Sequence, residues 1–439
     1  MEKANDLTRG KASKRLIGFF LPMFFTNLLQ QLYAIADTAI VGKGLGDNAL
    51  GAVGNLSSMW LLIVGFSMGM TNGFCVIVAQ RRGAGDGDAL RKSVALSAKL
   101  SLYMSALLTS MGILLLQPVL MAMQTAEPLF RDSELYGRII FGGLAATMAY
   151  NLCSGILRAL GDSRTPFVAL VASSAMNIAL DCFAIFYLGT GVEGAAIATV
   201  LSQLVSALIC FRKLRMLEAL RLRSEDFEGD AAIYRGLLKN GISMACMNSV
   251  TAAGCMVVQG FVNGLGAACT SAYSACGKYL NIFMLPSITA GFAISSFAGQ
   301  NYGAGQKERI REGVRVCCGI ALIAYLAIGS LACAVPRALA ALMLNGEETI
   351  ALAAGYLRIC GMALLPLNLL FIFRGCVQGM GYPLLPMCSG ILEMALRIPI
   401  IAYFLPRIGF QATACAEAVA WIGALSLNLI AYIRSMRYS

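Results

Sequence analysis

Twelve apolar stretches, each long enough to cross a bilayer, follow one another along this chain with only short polar breaks. They run at about residues 16–41, 50–77, 93–116, 135–157, 166–188, 194–211, 236–262, 270–297, 314–335, 351–376, 384–405 and 412–433. A helix needs roughly 20 apolar residues to span the hydrocarbon core. In lipid every backbone N–H and C=O must be satisfied internally, so stretches of this length read as helices. The stretch at 194–211 is short and is expected to extend into the basic segment that follows it. Composition agrees: of 439 residues, 58% are hydrophobic and 13% charged, against about 25% charged in an average soluble domain. The expectation is an all-α polytopic membrane protein without a sizeable soluble domain.

A net charge of +11 would point to nucleic acid in a soluble protein, so the location of the cations decides. They fall in alternate breaks: Lys3, Arg9, Lys11, Lys14 and Arg15 before the first span, Arg81, Arg82, Arg91 and Lys92 after the second, Arg212 to Lys239 at mid-chain, Lys307 to Arg315, and the terminal Arg434 and Arg437. The intervening breaks are poor in cations or acidic, as at Glu127, Asp132, Glu134, Glu347 and Glu348. This positive-inside pattern predicts a multi-pass protein of the cell's inner membrane with both termini cytoplasmic. It accounts for the charge through topology and the anionic inner leaflet, with the lipid bilayer as partner and no nucleic acid. The chain has no His, which removes the commonest general base and the usual metal ligand. Its 15 Cys lie almost wholly in apolar stretches without a C-x-x-C pair and read as small hydrophobes. No enzyme activity, resident metal or cofactor is expected.

The chain repeats itself. Gln80-Arg-Arg-Gly83-Ala84-Gly85 recurs as Gln300-Asn-Tyr-Gly303-Ala304-Gly305, an offset of 220 residues that also relates Gly44-Leu45-Gly46 to Gly264-Leu265-Gly266, Arg91 to Arg311, Gly161 to Gly381 and Pro166 to Pro386. After a two-residue deletion Gly191 pairs with Gly409. Six spans per repeat keep the orientation of the unit, so two parallel lobes are expected: residues 1–213, a cytoplasmic linker at 214–232, and residues 233–439. The glycines of the doubled motif, Gly83 and Gly303, are expected to supply backbone conformations closed to other residues where spans two and eight end.

With Asp37-Thr38 ahead of Gly42 and Gly46, the six-plus-six repeat and the doubled Q-x-x-G-A-G, the whole chain resembles the MATE (multidrug and toxic compound extrusion) family. The resemblance implies two six-helix bundles forming a V. It implies a secondary antiporter, acting as a monomer, that exports amphipathic, often cationic small organic compounds against entry of H⁺ or Na⁺. Two rivals stay open: a lipid-linked saccharide flippase of the same superfamily, and a membrane receptor or scaffold.

Ionisable residues inside a membrane are costly and mark functional sites. The first half has two, Asp37 in span one and Asp181 in span five, with Asn177 one turn before Asp181 on the same face. At 1.5 Å per residue, Asp37, Asp181 and Thr199 of span six each fall about 8–10 Å below the outer boundary. Two carboxylates, an amide and a hydroxyl suit Na⁺, or two like charges that hold a proton between them. The resemblance places an ion site on these same four positions. The second half carries mixed charge instead: Lys278, Arg374, Glu393, Arg397 and Glu417 lie in apolar spans, with Arg397 at the repeat position of Asn177 and Glu417 at that of Thr199. They read either as a buried ion-pair network or as an anchor for a substrate carboxylate or phosphate. Pro22, inside span one, removes a helix hydrogen bond and favours a kink that is either static or a hinge.

Overall fold

A computed structural model describes residues 6–438, and Lys3 of the amino-terminal cations lies outside them. Every expected span is present as helix, and no strand occurs among the described residues. In chain order the helices are α1 (Ala12–Leu45), α2 (Asp47–Ala84), α3 (Gly87–Ala122), α4 (Glu127–Gly142), α5 (Leu144–Ala159), α6 (Arg164–Cys182), α7 (Val192–Arg215) and α8 (Ala231–Asn263). Then follow α9 (Ala267–Phe283), α10 (Leu285–Gly303), α11 (Lys307–Ala324), α12 (Ser330–Ala334), α13 (Pro336–Ala341), α14 (Glu347–Met362), α15 (Leu364–Gly379), α16 (Leu384–Ile408) and α17 (Gln411–Tyr438). Nine helical segments are long and apolar enough to cross a membrane alone, and three bent pairs bring the total to twelve. The sixth span extends to Arg215, as its shortness suggested.

Two of the three bends share a position in the repeat, and the third has a proline beside it. Span four breaks by 43° between α4 and α5, and span ten by 50° between α14 and α15; the break residues, Gly143 and Ala363, are one repeat apart. The third break, 43° between α9 and α10, has Pro286 in the first turn of α10, where it cannot donate to the preceding turn. Span two, its repeat partner, carries Phe66 at that position and continues unbroken in α2. Pro22 lies inside α1, and Thr26 donates its hydroxyl to the Pro22 carbonyl at 2.7 Å.

By packing, the chain divides into two units, residues 21–245 and residues 246–438 together with 7–20. The first has a core that includes Phe74, Val78, Leu96, Leu157 and Leu237; that of the second includes Tyr356, Leu364, Leu370, Ile401 and Trp421. In the second unit α10 and α15 meet backbone to backbone: a Cβ on Gly375 would come within 2.2 Å of Gly291 O, and one on Gly379 within 2.2 Å of Ser295 O. Large apolar side chains such as Leu114 (74% exposed) and Ile323 (70% exposed) cover outer faces, the arrangement lipid favours. All fifteen cysteines are free.

The segments before α1 and α8 are docked rather than loose. In the second unit Leu7 is buried, its N–H donates to Gln300 Oε1 at 3.1 Å, and Arg309 donates to the carbonyls of Gly10 at 2.6 Å and Leu7 at 2.9 Å. In the first unit the polar linker buries Leu220 and Asp226, and Asp226 pairs with Arg91 of α3 at 3.5 Å. One expectation is corrected at the doubled glycine motif. Gly83 lies in the last turn of α2 and Gly303 ends α10, and the left-handed conformation falls on Gly85 (φ 73°) and Gly305 (φ 71°). Each helix continues through the first glycine, so the chain reverses only at the second, the usual place for a left-handed residue after a helix C-terminus.

Candidate functional site

In the first unit, residues from four helices converge on two carboxylates. Helix α1 supplies Tyr33 and Asp37, four residues apart and so on one face; α6 supplies Asn177 and Asp181 in the same spacing; α7 supplies Thr199 and α4 supplies Tyr136. Asn177 and Asp181 are completely buried. Two acceptors, Asp181 Oδ2 at 2.7 Å and Tyr33 Oη at 3.2 Å, face one end of the Asn177 amide, and the Thr199 N–H faces the other at 3.2 Å. The amide nitrogen therefore donates to Asp181 and Tyr33, and the oxygen accepts from Thr199. The Thr199 hydroxyl lies beside that of Tyr33 and donates to Ala195 O at 3.0 Å.

The carboxyl groups of Asp37 and Asp181 lie within hydrogen-bonding reach of each other. Their buried Oδ1 atoms receive no hydrogen bond from surrounding donors, and no Lys or Arg pairs with either group among the described residues. Buried charge of one sign is costly unless neutralised. Such a site accepts one proton between the carboxyls, or a hard cation among their oxygens and that of Thr199. The four residues singled out in the sequence thus meet in one place. Tyr33 and Tyr136, the latter within electrostatic range of both carboxyls, were missed; the four-residue spacing of Tyr33 and Asp37 was the signal available for the first.

The second unit presents a ladder of alternating charge. Arg374 of α15 donates to Glu393 of α16 at 2.9 Å, Arg397 of α16 donates to Glu393 at 3.3 Å and to Glu417 of α17 at 2.8 Å, and Arg374 also donates to Ser389 Oγ at 3.3 Å. All four charged residues are buried. Lys278 is not part of the ladder: it is exposed and in no ion pair among the described residues. The contact of Arg397 with Glu417 repeats, one repeat unit later, that of Asn177 with Thr199.

The MatE family model matches residues 22–183 and 242–403, two segments of equal extent offset by the same 220 residues. The chain belongs to the MatE family. Among its relatives, "Probable multidrug resistance protein YpnP" of Bacillus subtilis is 28% identical over 93% of this chain and 92% of its own length. "Probable multidrug resistance protein NorM" of Thermotoga maritima is 25% identical over 94% of this chain and 89% of its own length. The fold is that of a solved MATE structure, "Crystal structure of MATE in the bent conformation", with a TM-score of 0.93 at 21% identity over 99% of this chain and 98% of the other. This MatE chain is accordingly a multi-pass α-helical membrane protein.

Proposed function

We propose that this protein is a secondary multidrug antiporter of the inner membrane, a transporter and not an enzyme, which exports amphipathic, often cationic organic compounds against inward H⁺ or Na⁺. The observation that carries the reading is the pair of acids, half-buried Asp37 and fully buried Asp181, each with an Oδ1 atom that receives no hydrogen bond and with no cationic partner among the described residues, in a MatE chain whose relatives bear multidrug-resistance names over nine-tenths of its length. An antiporter must bind its ion with different affinity in its two conformations. Two carboxylates beside Asn177, Thr199 and Tyr33 supply a charge that an entering cation neutralises and that substrate entry from the other side restores.

Both termini are cytoplasmic in this reading, which the distribution of Lys and Arg supports, and the protein works as a monomer without a cofactor. Pro22 serves as the hinge of α1, and Gly83 and Gly303 as parts of the cytoplasmic turns. A lipid-linked saccharide flippase would need free guanidinium groups to grip a pyrophosphate. Arg374 and Arg397 are instead committed to Glu393 and Glu417, which favours the antiporter.

The test is transport of a fluorescent cationic dye by proteoliposomes under separately imposed pH and Na⁺ gradients. One gradient is expected to drive dye movement in the parent and neither in Asp37→Asn. Parental rates in that variant, with unchanged response to both gradients, would refute the assignment.

A further inference from the structure

We infer that Arg397 is a tethered counter-cation: its guanidinium occupies, in the second unit, the place that a mobile cation takes in the first, and so restricts ion coupling to one unit. The inference rests on the reading of Asp37 and Asp181 as the coupling site.

The two units place three polar residues at equivalent positions, although Asp37 and Asp181 themselves give way to Val257 and Ile401 there. In the first, Asn177 of α6 meets Thr199 of α7 beside Tyr136 of α4. In the second, the positions one repeat later are Arg397 of α16, Glu417 of α17 and Tyr356 of α14; Arg397 touches Glu417 at 2.8 Å, and Tyr356 lies within electrostatic range of Glu417. The difference is where the positive charge comes from. The site in the first unit holds two acids, Asp37 and Asp181, with no Lys or Arg paired to either among the described residues. In the second, Arg374 neutralises Glu393 at 2.9 Å, and Arg397 is the cation left for Glu417.

The groups facing Glu417 explain why a small ion could replace that guanidinium. They are Arg397 and Glu393 from α16, Cys255 from α8, Tyr273 from α9, and Tyr356 and Cys360 from α14. Apart from Arg397 none of them is cationic, and Arg397 reaches past Cys255, with Nη1 4.0 Å from its Sγ. Shortening Arg397 to Asn, the residue at the repeat position, removes the base that pairs with Glu417 among the described residues and leaves a buried acid with an amide and a phenol nearby. The first unit sets an amide and phenols beside its two acids in the same way, and a buried carboxylate without a partner takes up a proton or a cation.

The experiment counts cations on purified protein in lipid nanodiscs, as protons taken up on acidification and as bound radioactive Na⁺. Arg397→Asn is expected to hold one cation more per molecule than the parent, and Arg397→Asn with Glu417→Thr to return to the parental count. Equal counts in the parent and a folded Arg397→Asn overturn the inference. If Arg397→Asn accumulates poorly, its thermal unfolding in membrane vesicles is the second measurement: acidification or Na⁺ is expected to raise its transition more than the parent's, and equal shifts overturn the inference too. The same counts with Asp37→Asn and Asp181→Asn together separate the two readings. An undiminished parental count in that background refutes the coupling site, whereas the increment from Arg397→Asn judges Arg397 by itself.

Discussion

Removing the Arg397 guanidinium should destabilise the second unit more than removing Arg397 and Glu417 together. Arg397 holds Glu393 at 3.3 Å and Glu417 at 2.8 Å, and both acids are buried. In Arg397→Gln, Glu393 keeps Arg374 at 2.9 Å, but Glu417 loses its ion pair. Breaking a buried pair by deleting one partner costs about 3–5 kcal/mol, because the desolvated charge left behind is uncompensated. In Arg397→Gln with Glu417→Gln both charges disappear, the Arg374–Glu393 pair remains, and two amides can hydrogen-bond across the old contact. The double variant should therefore be more stable than Arg397→Gln by about 2–3 kcal/mol, a coupling of the size seen between contacting residues. Thermal or denaturant unfolding in lipid nanodiscs reads the difference. A choline-based buffer above neutral pH keeps small cations from substituting for the guanidinium. A double variant no more stable than Arg397→Gln would show that the ladder is not an ion-pair network of this strength.

Three further outcomes follow from the geometry. Replacing Thr199 or Asn177 with Ala should weaken ion dependence of transport less than Asp37→Asn or Asp181→Asn does, since each removes one neutral ligand; dye-export rates across ion concentration check the ranking. Gly375→Ala should cost about 1–3 kcal/mol of stability or abolish accumulation, because the new Cβ would sit 2.2 Å from Gly291 O, and normal unfolding of this variant would show that α10 and α15 separate readily. At the turns after α2 and α10, Gly85→Val and Gly305→Val should impair folding more than Gly83→Val and Gly303→Val, because only the former pair has positive φ that a β-branched residue resists; membrane accumulation of the four proteins decides it.

The sequence by itself determined the class of fold and singled out four residues that the first unit brings together. A bilayer demands long apolar helices and penalises every charge placed in them, so twelve spans, their repeat and the few polar residues inside them stand out without coordinates. Asp37, Asn177, Asp181 and Thr199 could be put at one depth because helical rise is uniform. What no periodicity carries is which side of a helix meets which neighbour. That Tyr33 and Tyr136 join the acids, that Arg374 reaches Glu393 across two helices while Lys278 stays outside, and that Leu7 docks on Gln300 and Arg309 were decided by tertiary packing. The breaks at Gly143, Met284 and Ala363 belong there too: Pro286 signals one, but Ala363 has nothing in its side chain to mark it. The position of the left-handed glycine was likewise set by where the helix ends, not by the motif. Spacing along a helix fixes depth and face relative to that helix alone, and a binding site is a relation between helices.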